Sequence, residues 1–296
     1  MALTINTNIS SMIVQSNLSK ATNSLNKAIE RMTTGYKINS ASDNAAGYSI
    51  ATNWKTKLGS LDVAADNAAT GADMLSTLED TYSLITGHLQ RVRDLTEQAA
   101  NGTYGADSLN AVKSEITARL DEIDRIAANC EYNDKHMMNG SITADINLQV
   151  GLTNDANSKI TLSSTLFASA KVGALFKKAG ATGVDGSTAK ETEDKATVAN
   201  LCVGSNAAAT LTKIDDVIKD ISGRQTTLGA AQNRVESAIE SIGVQVQNIT
   251  SSLSTLRDAD VATESSNYIK AQILQQASAT LLATANQTPS IALNLL

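Results

Sequence analysis

Few residues in this sequence have the types and spacing that chemistry needs. Cys130 and Cys202 are its two cysteines, His88 and His136 its two histidines. The cysteines form no CxxC pair, and so far apart they supply neither a metal cage nor a disulfide framework. They read as free thiols that behave like small apolar side chains. His88 and His136 are too distant for an HExxH zinc helix, and no Ser-His-Asp or Cys-His set stands out. Gly180, Gly183 and Gly186 do not make a phosphate loop, since no Lys-Ser/Thr follows Gly186 in register, and they read as flexible turn. The expectation is no catalytic residue, no cofactor and no metal site. A net charge of −6 gives no electrostatic footprint for nucleic acid or an anionic membrane, so neither is expected as a partner. No apolar run approaches the ~20 residues of a membrane-spanning helix. Met1-Ala2-Leu3-Thr4-Ile5 lacks the basic and apolar regions of a cleaved signal, so the chain is expected to stay in the cytoplasm or leave without signal cleavage.

What the chain lacks in reactive groups it has in pattern. Aromatic residues make up 3% of it and Pro289 is its single proline, a composition that suits long helices. Apolar residues alternate at three and four positions through Leu211, Ile214, Ile218, Ile221, Gln225, Leu228, Gln232, Val235, Ile239, Ile242, Val246, Ile249, Leu253 and Leu256. A 3.5-residue repeat keeps one helical seam facing a partner, and at 1.5 Å per residue this rod would span about 70 Å. Gln225 and Gln232 fall on that seam, either as register-fixing polar groups or at a partly wet edge. A second series runs through Ile50, Trp54, Lys57, Leu61, Ala64, Ala68, Gly71, Leu75, Leu78, Tyr82, Ile85, Leu89, Val92, Thr96 and Ala99. Its small middle, Ala64, Ala68 and Gly71, would let a partner helix approach closely. A turn at Asn101–Gly105 leads to a third helix, capped by Asp107 or Ser108, with Leu109, Val112, Ile116, Leu120, Ile123 and Ala127 on one face. Three helices of one period predict an antiparallel bundle.

The ends are less regular. Ile5, Ile9 and Met12 make one stripe, which Leu18, Leu25, Ile29 and Met32 continue with a shift before Gly35 stops the helix. Ser42 or Asp43 is expected to cap the next helix. A terminal helix carries Ile269, Ile273, Leu274, Ala277, Leu281, Leu282 and Ala285 up to Pro289. Isolated amphipathic helices are marginal in water, so both ends are expected to order only when neighbours cover them. Period-two alternation at Asp145–Val150 and Lys159–Ser163 predicts a β-hairpin; Leu166–Lys178 reads as a short helix and 179–195 as an exposed loop. The expected fold class is mainly α: an elongated antiparallel helical bundle or coiled coil with a small β-hairpin region and a short central insert.

Specific residues then resemble bacterial flagellin. They are Arg31-Met32-Thr33-Thr34-Gly35-Tyr36-Lys37-Ile38-Asn39-Ser40-Ala41-Ser42-Asp43-Asn44-Ala45-Ala46-Gly47, Leu89–Leu95 and Glu122–Ile126 in the first half. In the second half they are Leu228–Arg234, Asp258-Ala259-Asp260, Ala262-Thr263-Glu264, Ala271–Ala277 and Ala285-Asn286-Gln287. The departures are Tyr132-Asn133-Asp134 for Phe-Asn-Gly, Met137-Met138 for Leu-Leu, and a Ser252–Leu256 stretch without the Ala-Arg-Ser-Arg of many members.

The resemblance implies an extracellular structural subunit, not an enzyme, that self-assembles into the flagellar filament for motility. It implies domains at 1–42 and 257–296 (inner core), 43–140 and 206–256 (rod) and 141–205 (hairpin and surface insert). Ile5, Ile9, Leu25, Ile29, Ile273, Leu274, Leu281 and Leu282 would serve filament assembly. Implied partners are further copies of the chain, an export chaperone, cap and hook-associated proteins, and the innate immune Toll-like receptor that senses flagellin. The implied receptor contacts are Arg91, Leu95 and Glu115; Arg91 and Leu95 lie off the Leu89-Val92-Thr96 seam and are expected to point outward. A hook–filament junction protein is the alternative, and a flagellin with an enzymatic insert, which the missing HExxH argues against, is a third.

Overall fold

The computed structural model describes residues 7–178, 195–203 and 206–293. Seven helices are described: α1 (Ile9–Thr34), α2 (Ala45–Ala100), α3 (Ala106–Asn129), α4 (Val172–Lys178), α5 (Lys195–Leu201), α6 (Ala207–Arg257) and α7 (Val261–Leu293). Between α3 and α4 lie two small antiparallel hairpins, β1 (Glu131–Tyr132) with β2 (Lys135–His136) and β3 (Ile146–Gln149) with β4 (Lys159–Leu162). The chain forms two compact units, Met1–Gly59 with Val246–Leu296, and Ser60–Gln245; the divisions fall inside α2 and α6. Ile5 and the loop 179–194, with Gly180, Gly183 and Gly186, lie outside the described residues.

The unit Ser60–Gln245 is built on the predicted seam of α2. Leu61, Ala64, Ala68, Gly71, Leu75, Leu78, Tyr82, Ile85, Leu89, Val92, Thr96 and Ala99 are all buried. Thr96 is tolerated there because its hydroxyl donates to its own helix, at Val92 O, 2.8 Å away. The expected face of α3 is buried at Val112, Ile116, Leu120, Ile123 and Ala127. α3 is antiparallel to α2, with Arg91 beside Glu115 and Thr81 beside Cys130. α6 is antiparallel to α2 as well, since Arg93 meets Asp215 and Glu79 meets Gln232. The predicted start of α3 moves: the helix is capped by Gly105 without a side-chain bond, and Asp107 sits in its first turn, where a negative charge faces the positive helix end.

The seam of α6 is half as expected. Ile214, Ile221, Leu228, Val235 and Ile242 are buried, but the companion row is Val217, Arg224 and Ala231, not Ile218, Gln225 and Gln232. Gln232 stands at the flank and donates to Glu79 Oε2 at 2.7 Å. Arg224, 8% exposed, is a buried charged residue of the helix. Its Nε donates to Asp220 Oδ2 at 3.0 Å and its Nη1 to Ala168 O at 2.9 Å. Beside it the Tyr82 hydroxyl donates to Leu166 O at 2.8 Å, and burial pushes that phenol's pKa up. Two helices thus hold the insert's backbone through polar groups that are all satisfied.

The predicted hairpin forms in register, Ile146 opposite Leu162 and Leu148 opposite Ile160. Its docking corrects the expectation for the thin seam. The space left at Gly71 is filled by the Leu148 side chain, not by a helix, and Asn67 Nδ2 donates to Gln149 O at 3.2 Å. The β1–β2 hairpin is unanticipated. Its turn residues Asn133 and Asp134 both have positive φ, 48° and 61°, as a two-residue type I′ turn requires. Glycine would fit the second position more easily than the Asp134 present. Both thiols are buried against α2. Cys130 Sγ lies 3.4 Å from Thr81 Oγ1, and burial pushes the pKa of Cys202, beside Thr96, up to about 11.

The hairpin's seat can be tested by an otherwise favourable substitution. Gly→Ala in an exposed helix interior stabilises by roughly 0.5–1 kcal/mol. Gly223→Ala, with open space around it, should show that gain. Gly71→Ala should instead cost on the order of 1–3 kcal/mol by overpacking against Leu148. Thermal unfolding of both variants gives the sign, and a stabilised Gly71→Ala would show that the hairpin does not need this seat.

Candidate assembly and recognition surfaces

The unit Met1–Gly59 with Val246–Leu296 is organised by α1 against α7. Both are helical, whereas the sequence pointed to ends that order only on assembly; each supplies the other with one covered seam. α7 also continues past Pro289, which has no N–H to give to Ala285 O; that carbonyl accepts from Asn8 Nδ2. The pair is antiparallel: Asn8 Nδ2 donates to Ala285 O at 2.8 Å, Gln275 Nε2 to Thr22 Oγ1 at 3.1 Å, and Arg31 Nη1 to Glu264 Oε1 at 3.0 Å. Many of their Cα atoms lie within 8 Å of one another. Such an approach requires small residues, and the buried ones are Ala21, Ala28 and Ala271.

The rows facing inward also include Val14, Leu18, Leu25 and Arg31 on α1, and Glu264, Tyr268, Gln275, Ser278 and Leu282 on α7. Most of the bulky apolar residues stay exposed. Ile9, Met12, Ile13, Ile29 and Met32 on α1, and Ile269, Ile273, Leu274 and Leu281 on α7, are between 38% and 65% exposed. Of the residues singled out for assembly, Ile9, Ile29, Ile273, Leu274 and Leu281 are therefore exposed, Leu274 and Leu281 along a groove that Ala21, Ala28 and Ala271 also line. Leu25 and Leu282 are half-buried within the pair, because they fall on the rows that face the partner helix.

The connectors beside this pair are zipped together. Lys37 N donates to Arg257 O at 2.7 Å and Ala259 N to Gly35 O at 2.8 Å, around a bridge between Tyr36 and Asp258. Gly35, at φ +74°, ends α1 as the sequence predicts. The Arg257 guanidinium lies 4.2 Å from the Tyr36 ring centroid and its Nε donates to Ile38 O. Asn44, one residue past the predicted caps, closes α2 by accepting from Gly47 N at 2.9 Å. Asp43 instead ties the connector. It accepts from Lys27 Nζ at 2.7 Å and from the backbone of Ser40 and Asn39, and Lys27 above all holds its carboxyl well below the usual range. Asp260 caps α7, with its pKa lowered first by the Thr263 hydroxyl and then by the Ala262 and Thr263 amides.

Arg91 and Glu115, in the unit Ser60–Gln245, form an exposed ion pair: both Nε and Nη2 of Arg91 donate to Glu115 Oε1, at 3.1 and 3.0 Å. Leu95 does not join them at the surface. It is 2% exposed and belongs to the core, which corrects the expectation that it points outward. α2 has neighbours on two sides at this level, so it buries a stripe wider than one seam. Among the described residues no three His, Cys, Asp or Glu side chains are grouped to hold a metal, and no helix is long and apolar enough to cross a membrane.

The connector gives a pH prediction. A depressed carboxylate pKa means that the stability Asp43 adds is complete above its unfolded value near 4 and declines as the pH falls toward the folded value. Wild type should lose thermal stability between pH 5 and 3 more steeply than Asp43→Asn. Parallel slopes in circular dichroism melts would remove Asp43 from that role.

Comparison with known proteins matches residues 5–143 to the bacterial flagellin N-terminal helical region and residues 211–296 to the bacterial flagellin C-terminal helical region. The flagellin of Xenorhabdus nematophila is 35% identical over 313 residues, covering 100% of both chains. The flagellar filament 33 kDa core protein of Treponema phagedenis is 30% identical over 301 residues, covering 99% of each. The crystal structure of Bacillus cereus flagellin aligns with 64% of this chain and 94% of its own at 24% identity, with a TM-score of 0.46.

Proposed function

This chain belongs to the bacterial flagellins, the structural subunits of the flagellar filament, and on that premise we propose that its subunit contacts are made by the outward faces of α1 and α7. The supporting observation is that these helices pair through small and polar residues and a few half-buried apolar ones, while Ile9, Ile13, Ile29, Ile269, Ile273, Leu274 and Leu281 stay exposed. So much apolar surface on one unit is a cost in a monomer and a source of association free energy in a polymer. Leu25 and Leu282 contribute by holding the pair together. Export by the flagellar type III route, and contacts with an export chaperone, the cap and hook-associated proteins, belong to the same proposal and rest on family membership.

The test separates assembly from folding. Ile273→Ser with Leu281→Ser changes two exposed residues, so unfolding should shift by no more than about 0.5 kcal/mol per site. Seeded polymerisation, followed by light scattering and electron microscopy, should be lost. Normal filaments from the double variant would remove this face from the subunit contact.

A second reading concerns the flagellin-sensing Toll-like receptor, and the exposed Arg91–Glu115 pair supports it as an accessible, charge-bearing patch. Leu95 enters this reading only as the core residue beneath. Arg91→Ala and Glu115→Ala should each lower potency in a reporter-cell assay without changing the melting temperature, whereas Leu95→Ala should destabilise the fold by roughly 2–5 kcal/mol. Equal potency of the two surface variants and wild type would exclude the patch.

A further inference from the structure

Five methionines stand among the described residues, and the fold sorts them into two groups. Met74, Met137 and Met138 are in the core, at 6%, 0% and 0% exposure. Met12 and Met32 are 65% and 38% exposed; Met12 lies on the outward side of α1, and Met32 in its last turn, where the row of Leu25 and Ala28 runs out of cover. Met12 sits one turn from Ile9 and next to Ile13, and Met32 one turn from Ile29, all of them exposed. The accessible thioethers of the described chain are thus confined to one helix, in the midst of the apolar side chains that the assembly reading buries.

We propose that Met12 and Met32 are oxidation sites of the unassembled chain, and that their conversion to methionine sulfoxide by a hydroperoxide blocks polymerisation reversibly. The inference rests on the assembly reading. In the reaction a thioether lone pair attacks the distal oxygen of hydrogen peroxide: an S–O bond forms, the O–O bond breaks, and the departing hydroxide takes the proton from the transferred oxygen to leave as water. Sulfur loses two electrons and the peroxide gains them. Selectivity follows from access, because the same reagent reaches the core methionines only when the fold opens. The effect follows from the product. A thioether is apolar and adaptable, whereas a sulfoxide is a polar acceptor that needs a hydrogen-bond donor. Ile9, Ile13 and Ile29 offer none. In the monomer water satisfies the sulfoxide oxygen, so folding is undisturbed; in a subunit contact that oxygen is stripped of water and left unpaired.

The experiment treats the full-length monomer with limiting hydrogen peroxide, maps sulfoxides by peptide mass spectrometry, and then follows seeded polymerisation. Met12 and Met32 should oxidise at least about tenfold faster than Met74, Met137 and Met138, as expected where reaction of the core residues needs an opening reaction. The oxidised chain should need at least about a tenfold higher concentration to polymerise. Treatment with the two methionine sulfoxide reductases should restore assembly. A Met12→Leu, Met32→Leu chain, which keeps apolar volume and retains Met1, should polymerise equally before and after peroxide. Equal oxidation of core and helix methionines, or unimpaired polymerisation of the doubly oxidised chain, overturns the proposal. If the untreated chain does not polymerise, the assembly reading fails on its own, and the order of oxidation still decides the site assignment.

Discussion

A helix can bury only as much of its circumference as it has neighbours to cover. Along Leu61–Ala99, α2 has α3, α6 and the β3–β4 hairpin around it, and it buries twelve seam residues without interruption together with Met74 and Leu95. α1 and α7, in the other unit, are covered by each other along one row each. That row is narrow and lined by Ala21, Ala28 and Ala271, which brings the backbones close at the cost of using few large side chains. The outward isoleucines and leucines are the remainder left by this arithmetic. Stability in one unit and stickiness in the other therefore arise from the same constraint.

How far the sequence disclosed this arrangement also depends on neighbours. The seams of α3 and of α2 from Leu61 onward were readable because apolar residues recur at three and four between polar flanks, whereas Ile50 and Lys57, at the predicted start of the α2 seam, are exposed. On α6 one row, Ile214 to Ile242, was readable, while its companion was chosen by apolarity and missed Arg224. A long guanidinium side chain counts as solvated until its partners are known, and while Asp220 stands one turn back on the same helix, the Ala168 carbonyl comes from elsewhere in the fold. Leu95 was misplaced for a related reason: the width of a buried stripe depends on how many helices flank it, and no local pattern carries that number. The caps were missed by one or two positions, since Asp43, Asn44, Asp107 and Ser108 are all plausible helix starters. Geometry chose Asn44 and left Asp43 free to bind Lys27 and the connector backbone.

The connectors obey different rules from the helices. They have little apolar surface to bury, so a few directional contacts hold them: two backbone hydrogen bonds, the stacking of Arg257 on Tyr36, and the buried end of the Arg31–Glu264 pair. Directional contacts fix position well but tolerate little change in protonation or geometry, and the connectors are where charge is concentrated in this unit. In the other unit the insert is fastened in the same manner, by Tyr82 and Arg224 reaching its backbone carbonyls.

The two cysteines add something unconnected with assembly. Each is packed on α2, Cys130 at Thr81 and Cys202 at Thr96, fifteen residues and so about 22 Å apart along the helix. At that distance they cannot be oxidised to an internal disulfide without dismantling the core. Each thiol instead meets an alkylating reagent only when its own stretch of the α2 packing opens. The chain thereby holds two native labelling probes, one near the hairpins and one near α5, whose relative rates distinguish opening of the insert from opening of the whole bundle.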